Sequence, residues 1–154
     1  MTAIAIRMAS SGDAALLARL HAHCFEQAWD EAAFAVFLQD AFTFALLADA
    51  GDQEQAFILV RAVADECEIL SLGTHPAARR SGLARALLQA AGEEAHRRGA
   101  RRMFLEVADD NAAALALYAQ AGFAASGRRP GYYTRMSGHP SDALILSIDP
   151  TRFS

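Results

Sequence analysis

The chain has 154 residues, of which 53% are hydrophobic and 21% charged, and its formal net charge is −4. This composition predicts a folded domain with a substantial core, and the acidic balance argues against nucleic acid as the main partner. Because no apolar run approaches a membrane span and the first residues do not resemble a secretory leader, we expect one cytoplasmic domain, residues 1–154, without membrane association.

The first half of the chain predicts four strands and two helices. Apolar alternation indicates a strand at 3–8, and the apolar stripe of Leu16, Leu17 and Leu20 indicates a helix at 14–24. The further elements predicted here are a helix at 29–39, strands at 42–48 and 56–63 around a polar turn, and a strand at 66–74 that is followed by Pro76.

The second half predicts alternating helices and strands. A helix begins near Leu83 with its leucines and alanines on one face, and Gly99 ends it. The remaining elements are a strand at 103–107, a helix at 112–121, strands at 123–127 and 143–148, and a loop at 128–141. The resulting order, β-α-α-β-β-β-α-β-α-β-β, indicates an α/β (α+β) fold with a right-handed crossover.

The segment Arg79-Arg80-Ser81-Gly82-Leu83-Ala84 joins the strand at 66–74 to the long helix. The first turn of a helix attracts anions through its N–H groups and dipole, and arginine strengthens such binding. The segment has neither the Lys-Ser/Thr pair of a P-loop nor a three-glycine dinucleotide turn. It therefore predicts a phosphate site of another kind, and the alternative is an ordinary strand-to-helix connection with surface arginines.

This segment resembles the R/Q-x-x-G-x-G/A pyrophosphate loop of the GNAT acetyltransferases, and the element order is similar to the GNAT fold over nearly the whole chain. Within that family the likeness is closest to the RimI-type N-terminal protein acetyltransferases. The matching pieces are Cys24-Phe25 with Trp29, residues 68–72, the loop at 79–84, residues 105–107, residues 111–118, Gly122-Phe123, residues 128–133 without Gly131, and Asp142-Ala143. The resemblance implies a mixed sheet of six to seven strands flanked by about four helices, with two splayed strands.

The resemblance also implies acetyl-CoA as the cosubstrate, lying in the gap between the splayed strands. A bulged or unpaired backbone there would place an N–H against the thioester oxygen. The expected acetyl-CoA-binding residues are Leu72, Gly73, Thr74, Arg79, Arg80, Ser81, Gly82, Leu83, Ala84 and Asn111. Asn111 is equally explained as a helix cap. Gly73-Thr74 departs from the alanine-valine that is usual in the family, which we expect to loosen the strand at the thioester.

Two residues stand out as candidates for catalysis. Glu106 is a carboxylate within an apolar strand, and Tyr118 is a phenol within an alanine-rich helix. An α-amine has a pKa of about 7.7 to 8.0, so an acceptor amine must lose a proton, and Glu106 can take it directly or through water. The resemblance implies that Tyr118 acts as the acid toward the leaving thiolate. The alternatives are a structural salt bridge for Glu106 and core packing for Tyr118.

The acceptor site is predicted less directly. Glu68, on the strand face that alternation assigns to Leu70 and Leu72, is either a wall of the amine pocket, a second base or a structural partner. The resemblance implies that Trp29 and the pair Tyr132-Tyr133 contact the acceptor, with the tyrosines in the loop at 128–141. The alternative for that loop is a flexible surface segment with exposed aromatic residues.

Neither histidine nor cysteine suggests a separate chemistry. His21 and His23 stand two residues apart on a helix and so face different ways, which predicts solvated histidines and no metal site. Cys67 as an acyl-carrying nucleophile is a minor alternative because no histidine is placed by sequence to activate it.

The resemblance implies an enzyme that acetylates the α-amino group of a protein N-terminus, with the alanine end of a small-subunit ribosomal protein as its substrate. Transfer is expected to be direct, in a ternary complex with acetyl-CoA. The alternatives are a GNAT enzyme for a small amine and a CoA-binding module without turnover. The sequence predicts no oligomeric state.

Overall fold

A computed structural model describes residues 3–51, 53–134 and 140–153, which form a seven-stranded sheet with four α-helices. The strands are β1 (Ala5–Met8), β2 (Thr43–Asp49), β3 (Glu54–Val63), β4 (Glu66–Thr74), β5 (Arg102–Ala108), β6 (Ala124–Thr134) and β7 (Pro140–Ile148). The helices are α1 (Ala14–Cys24), α2 (Glu31–Gln39), α3 (Leu83–Arg97) and α4 (Ala112–Ala121). The predicted order of strands and helices is confirmed.

Side-chain caps and glycines set the ends of the helices. The Asp30 carboxylate accepts a hydrogen bond from the Ala33 N–H at 2.9 Å, which starts α2 two residues later than predicted. Asn111 caps α4 in the same way through the Ala114 N–H at 3.2 Å. Gly122 ends α4 with a φ of 106°, a left-handed conformation that glycine adopts without strain.

The sheet is mixed, with strand order β1-β2-β3-β4-β5-β7-β6. Adjacent strands are antiparallel except β4 and β5, which α3 connects as a parallel pair. Each sheet face carries one hydrophobic cluster. The α3–α4 cluster includes Leu87, Ala91 and Tyr118, and the α1–α2 cluster includes Leu17 and Phe34.

The parallel strands β4 and β5 separate after three residues. They pair only at Glu66 with Arg102, Cys67 with Met103 and Glu68 with Phe104. From there β5 continues along β7 as far as Ala108, while β4 continues along β3 as far as Thr74. The carboxyl-terminal halves of β4 and β5 therefore enclose a gap at the middle of the sheet, as the resemblance implied.

A β-bulge in β4 changes which side chains share a face. Leu59 of β3 lies opposite Ser71, whereas Val60 lies opposite Ile69, so Leu70 is an extra residue in β4. Leu70 packs against the α1–α2 cluster and Leu72 against the α3–α4 cluster. The prediction that Leu70 and Leu72 share a face was wrong, because strict alternation does not hold across a bulge.

The prediction of a loop at 128–141 was also wrong in its bounds, because β6 continues to Thr134 and β7 begins at Pro140. A register irregularity between Arg129 and Tyr133 accommodates the intervening proline and glycine. The Asp142 carboxylate fastens this segment by accepting the Gly131 N–H at 2.8 Å. Because β6 is an edge strand, a proline whose missing N–H faces the open edge costs the sheet no hydrogen bond.

Gly92 allows the C-terminal segment to pack against α3. A Cβ at this position would lie 2.4 Å from Phe153 Cε2 and 2.8 Å from the Pro150 carbonyl oxygen. We expect Gly92→Ala to lower the free energy of unfolding by about 1 to 2 kcal/mol, because overpacking outweighs the better helix propensity of alanine. Urea denaturation measures the change. Gly12→Ala is the control, since a Cβ there meets nothing within 4 Å. Equal stability of the two variants would contradict the prediction.

Candidate active site

Glu106 lies in the part of β5 that borders the gap. Its neighbours Leu105 and Val107 belong to the α3–α4 cluster, so its side chain lies on the opposite face of the sheet. The side chain is 16% exposed, and its Oε1 lies 3.0 Å from Nη2 of Arg129 in β6. Glu106 therefore forms the salt bridge that was the alternative to a catalytic role. This ion pair does not exclude catalysis.

Glu68 lies on the same face, in the last residue pair that joins β4 to β5. Burial raises the pKa of its carboxyl, and the negative charge of Glu106 raises it further. The positive charges of Arg129 and Arg61 act in the opposite direction. The structure thus brings both predicted carboxylates together at the start of the gap.

Tyr118 is placed on the other face of the sheet, within the α3–α4 cluster. It is 8% exposed, and its ring meets the ring of Phe123 edge to face at a centroid distance of 5.4 Å. Burial raises the pKa of its hydroxyl to about 12. The ring of Tyr118 is therefore part of the hydrophobic core, and it lies on the face of the sheet opposite Glu106.

The segment between β4 and α3 has a left-handed backbone conformation at two residues. Gly82 precedes the first residue of α3 with a φ of 86°, and Arg80 also has a positive φ of 64°. The Arg79 Nε donates to the Thr74 carbonyl oxygen at 3.2 Å, and the Ser81 hydroxyl donates to the Ala78 carbonyl. Of the two remaining residues of the predicted loop, Leu83 is buried and Ala84 is half-buried.

Gly73 lies in β4 where the strand passes under α1. A Cβ at Gly73 would lie 2.8 Å from both Cys24 Sγ and Phe57 Cε1, so this position holds no side chain without movement of its neighbours. The carbonyl oxygen of the next residue, Thr74, accepts a hydrogen bond from the Cys24 thiol at 3.5 Å. Leu72 is half-buried. Glycine is thus required at position 73 for the close packing of α1 against β4.

Trp29 and His21 pack against aromatic side chains of the α1–α2 cluster, on the sheet face that also carries Glu68 and Glu106. The ring centroids of Trp29 and His21 stack at 4.7 Å, and the backbone N–H of Trp29 donates to His21 Nδ1 at 3.0 Å. His21 is 3% exposed, and burial lowers its pKa. The prediction of a solvated histidine was therefore wrong for His21, because its ring is enclosed by aromatic side chains; His23 is exposed, as predicted.

The tyrosine pair lies on β6 beside the ion pair of Glu106. Tyr132 is 52% exposed, and its ring contacts that of Tyr133 at 5.1 Å. The Arg129 guanidinium carbon lies 5.2 Å from the Tyr132 ring centroid. Sequence analysis gave Arg129 no contact with Glu106. Because β7 lies between β5 and β6, this contact depends on sheet order and register, and no local sequence signal indicates it.

Ser141 is a second residue that the sequence did not single out. It lies opposite Tyr133 in the β6–β7 pairing and is 8% exposed. Its hydroxyl oxygen is buried without a hydrogen-bond partner in the described part of the chain.

Across residues 3–51, 53–134 and 140–153, no cluster of three or more metal-ligating side chains is found, and no helix is both long and apolar enough to cross a membrane.

The model for the acetyltransferase (GNAT) family matches residues 14–123. This chain belongs to the GNAT acetyltransferase family. The [ribosomal protein bS18]-alanine N-acetyltransferase of Escherichia coli K12 is 35% identical to this GNAT enzyme over 127 residues, which cover 82% of this chain and 83% of the relative.

Two solved structures share this architecture over nearly their whole length. The crystal structure of the ribosomal-protein-S18-alanine N-acetyltransferase from Escherichia coli superimposes with a TM-score of 0.87 and 28% identity, over 96% of this chain and 94% of the other. Arabidopsis thaliana NAA60 in complex with acetyl-CoA gives a TM-score of 0.83 at 19% identity, over 97% and 100% of the two chains. The second likeness establishes the fold alone.

Proposed function

We propose that this GNAT acetyltransferase transfers an acetyl group from acetyl-CoA to the α-amino group of a protein N-terminus, with an alanine-bearing ribosomal protein as acceptor. The observation that carries the proposal is the 35% identity, over 82% of the chain, to an enzyme named for that reaction. The pair of carboxylates beside the gap supports it. A cytoplasmic location belongs to the same proposal, since ribosomal proteins are made there.

Four features of the structure support acetyl-CoA binding. Beyond Glu68, the edge of β4 that faces the gap has no β5 partner among the described residues, so its backbone can bind the amides of the pantetheine arm. The bulge at Leu70 further alters the direction of the strand's N–H groups. The first turn of α3, with Arg79 and Arg80 before it, suits the pyrophosphate. Asn111 completes the proposed set from the start of α4, in addition to its capping role.

Gly82 gives a direct test of the proposed pyrophosphate site. We expect Gly82→Ala to weaken acetyl-CoA binding about tenfold, because a left-handed φ costs alanine about 1 kcal/mol or more and the first turn would shift to relieve it. Isothermal titration calorimetry with acetyl-CoA measures the change. Gly51→Ala is the control, because Gly51 lies in a bend where an added Cβ would meet nothing within 4 Å. An unchanged Kd in Gly82→Ala would exclude this segment from the binding site.

Glu106 is proposed to accept the proton of the attacking amine. At pH 7 only about a tenth of a free α-amine is neutral, so the reaction needs a group that removes this proton. The carboxylates of Glu106 and Glu68 and the guanidinium of Arg129 together carry one net negative charge when all are ionised. That charge favours an acceptor that arrives as an ammonium ion. Trp29, Tyr132 and Tyr133 remain proposed contacts of the acceptor.

Tyr118 is proposed to stabilise the departing sulfur of CoA from the other side of the gap. Its pKa of about 12 makes it a weak acid. Full proton transfer to a thiolate whose pKa is about 8.5 would be uphill by about 5 kcal/mol. A hydrogen bond from the hydroxyl, without complete transfer, is the form of assistance that these values favour.

Direct transfer is proposed in preference to an acyl-enzyme. Cys67 is 1% exposed, and burial raises the pKa of its thiol to about 12. A thiol in that state is protonated at neutral pH and is a poor nucleophile. Acetyl-CoA and the acceptor would therefore be bound together when the acetyl group moves.

The deciding experiment measures CoA thiol release with three kinds of acceptor. These are a peptide with the alanine N-terminus of bS18, the same peptide blocked at its α-amine, and a panel of small amines. Acetylation of the free peptide alone is the expected result. Reaction with small amines only would overturn the proposed acceptor and keep the enzyme class. Acetyl-CoA binding without turnover on any acceptor would indicate a CoA-binding module.

A further inference from the structure

Arg129 connects the edge strand β6 to the carboxylate site. Its Nη2 lies 3.0 Å from Glu106 Oε1, and its guanidinium carbon lies 5.2 Å from the ring centroid of Tyr132. The Arg129 side chain is 53% exposed, whereas that of Glu106 is 16% exposed. An accessible cation thus holds a more enclosed carboxylate, with an aromatic ring beside the cation.

The surrounding charges make this contact important for the site. Arg129 acts on both carboxylates, since it is ion-paired with Glu106 and lowers the pKa of Glu68. The other cation that acts on Glu68 is Arg61 of β3, and it lies 4.0 Å from Asp40. Without Arg129, Glu106 would face Glu68 with no ion-pair partner from the described residues. The negative charge of Glu106 raises the pKa of Glu68, so without the cation the Glu106 side chain would move or Glu68 would take up a proton more readily.

We propose that Arg129 is the positioning residue of the acceptor site, and that its ion pair fixes the Glu106 carboxylate beside Glu68 for attack by the acceptor amine. The proposal rests on the proposed function in taking Glu106 as the group that receives the proton. The contact between Arg129 and the exposed ring of Tyr132 supports this role, because the ring restricts the guanidinium. Arg129 itself touches no reacting atom in this scheme.

Neighbouring arginines on β6 provide a matched pair for the test. Arg128 is also an exposed arginine in two ion pairs, to Asp109 at 3.2 Å and to Asp142. We expect Arg129→Ala to lower kcat about tenfold or more, because the proton acceptor is no longer held in place, while the Kd for acetyl-CoA stays unchanged. Arg129→Lys should recover much of the rate, and Arg128→Ala should behave like the wild type.

Two further readouts separate positioning from a merely structural role. In Arg129→Ala the acidic limb of the kcat profile should move to higher pH, because the Glu68 carboxyl beside the proposed proton acceptor binds a proton more readily without that cation. Guanidinium chloride below denaturing concentrations should restore part of the rate, and sodium chloride at equal ionic strength should not. Wild-type kcat and pH profile in Arg129→Ala, or equal losses in Arg128→Ala and Arg129→Ala, would overturn the proposal.

An NMR titration keeps the test independent of the acceptor. The Glu68 side-chain resonance should titrate at higher pH in Arg129→Ala than in the wild type, and at unchanged pH in Arg128→Ala. If the wild-type enzyme prefers a small amine, the proposed acceptor fails, and the Arg129 series is repeated with that amine. If no acceptor reacts, the proposed function fails, and the titration alone decides whether Arg129 controls the carboxylates.

Discussion

Glu106→Gln is expected to lower kcat about 100-fold, the usual contribution of a positioned general base. The amide keeps the size of the side chain and loses both its basicity and its ion pair with Arg129. Initial rates of thiol release with the alanine peptide measure kcat, and calorimetry measures the Kd for acetyl-CoA, which should not change.

Two companion variants make the result interpretable. Glu66→Gln is the control, because Glu66 is an exposed β4 glutamate ion-paired with Arg102 at 2.8 Å and lies at the far end of the strand from the gap. Glu68→Gln tests the alternative base. A large loss of kcat in Glu68→Gln with a near-normal Glu106→Gln would reverse the assignment of the two carboxylates.

Tyr118→Phe is expected to lower kcat about 10- to 100-fold and to leave acetyl-CoA affinity almost unchanged. The substitution keeps the ring and its contact with Phe123, and removes the hydroxyl proposed to bind the leaving sulfur. Stopped-flow single turnovers and acetyl-CoA titrations give the two quantities separately. Parallel losses in kcat and affinity would indicate that the hydroxyl serves binding or packing.

The high pKa of Tyr118 adds a second observable to this variant. A hydroxyl with a pKa of about 12 remains protonated far into the alkaline range. Any alkaline decline of the wild-type rate that begins well below that value should therefore persist in Tyr118→Phe. Disappearance of such a decline in the variant would mean that Tyr118 titrates much lower in the complex with substrates.

Local signals in the sequence predicted most of the fold. The apolar spacing of α1 and α3, the cap at Asn111 and the glycines after α3 and α4 are short-range features, and they gave the right elements in the right order. The end of β6 could not be predicted in this way. Pro130 and Gly131 ordinarily indicate a turn, and the contact that keeps them in a strand comes from Asp142 of the next strand, so it depends on the pairing of β6 with β7.

In the candidate site, too, local features could be predicted from the sequence and tertiary contacts could not. Glu106 was identifiable because a carboxylate is unusual in an apolar strand, and Gly82 because a left-handed turn before a helix favours glycine. The ion pair with Arg129, the burial of His21 and the bulge at Leu70 depend on register and on neighbouring elements. Roles for the named residues stay predictions until the variants are measured.

The close approach of α1 to Gly73 links three positions that are far apart in the chain. Since Cys24, Gly73 and Phe57 fill one small volume, a larger residue at any one of them requires a smaller residue at another. We therefore expect these positions to vary together among relatives, with an alanine at 73 accompanied by a change at 24 or 57. Grafting the cosubstrate strand of another GNAT enzyme onto this scaffold would need all three replacements at once.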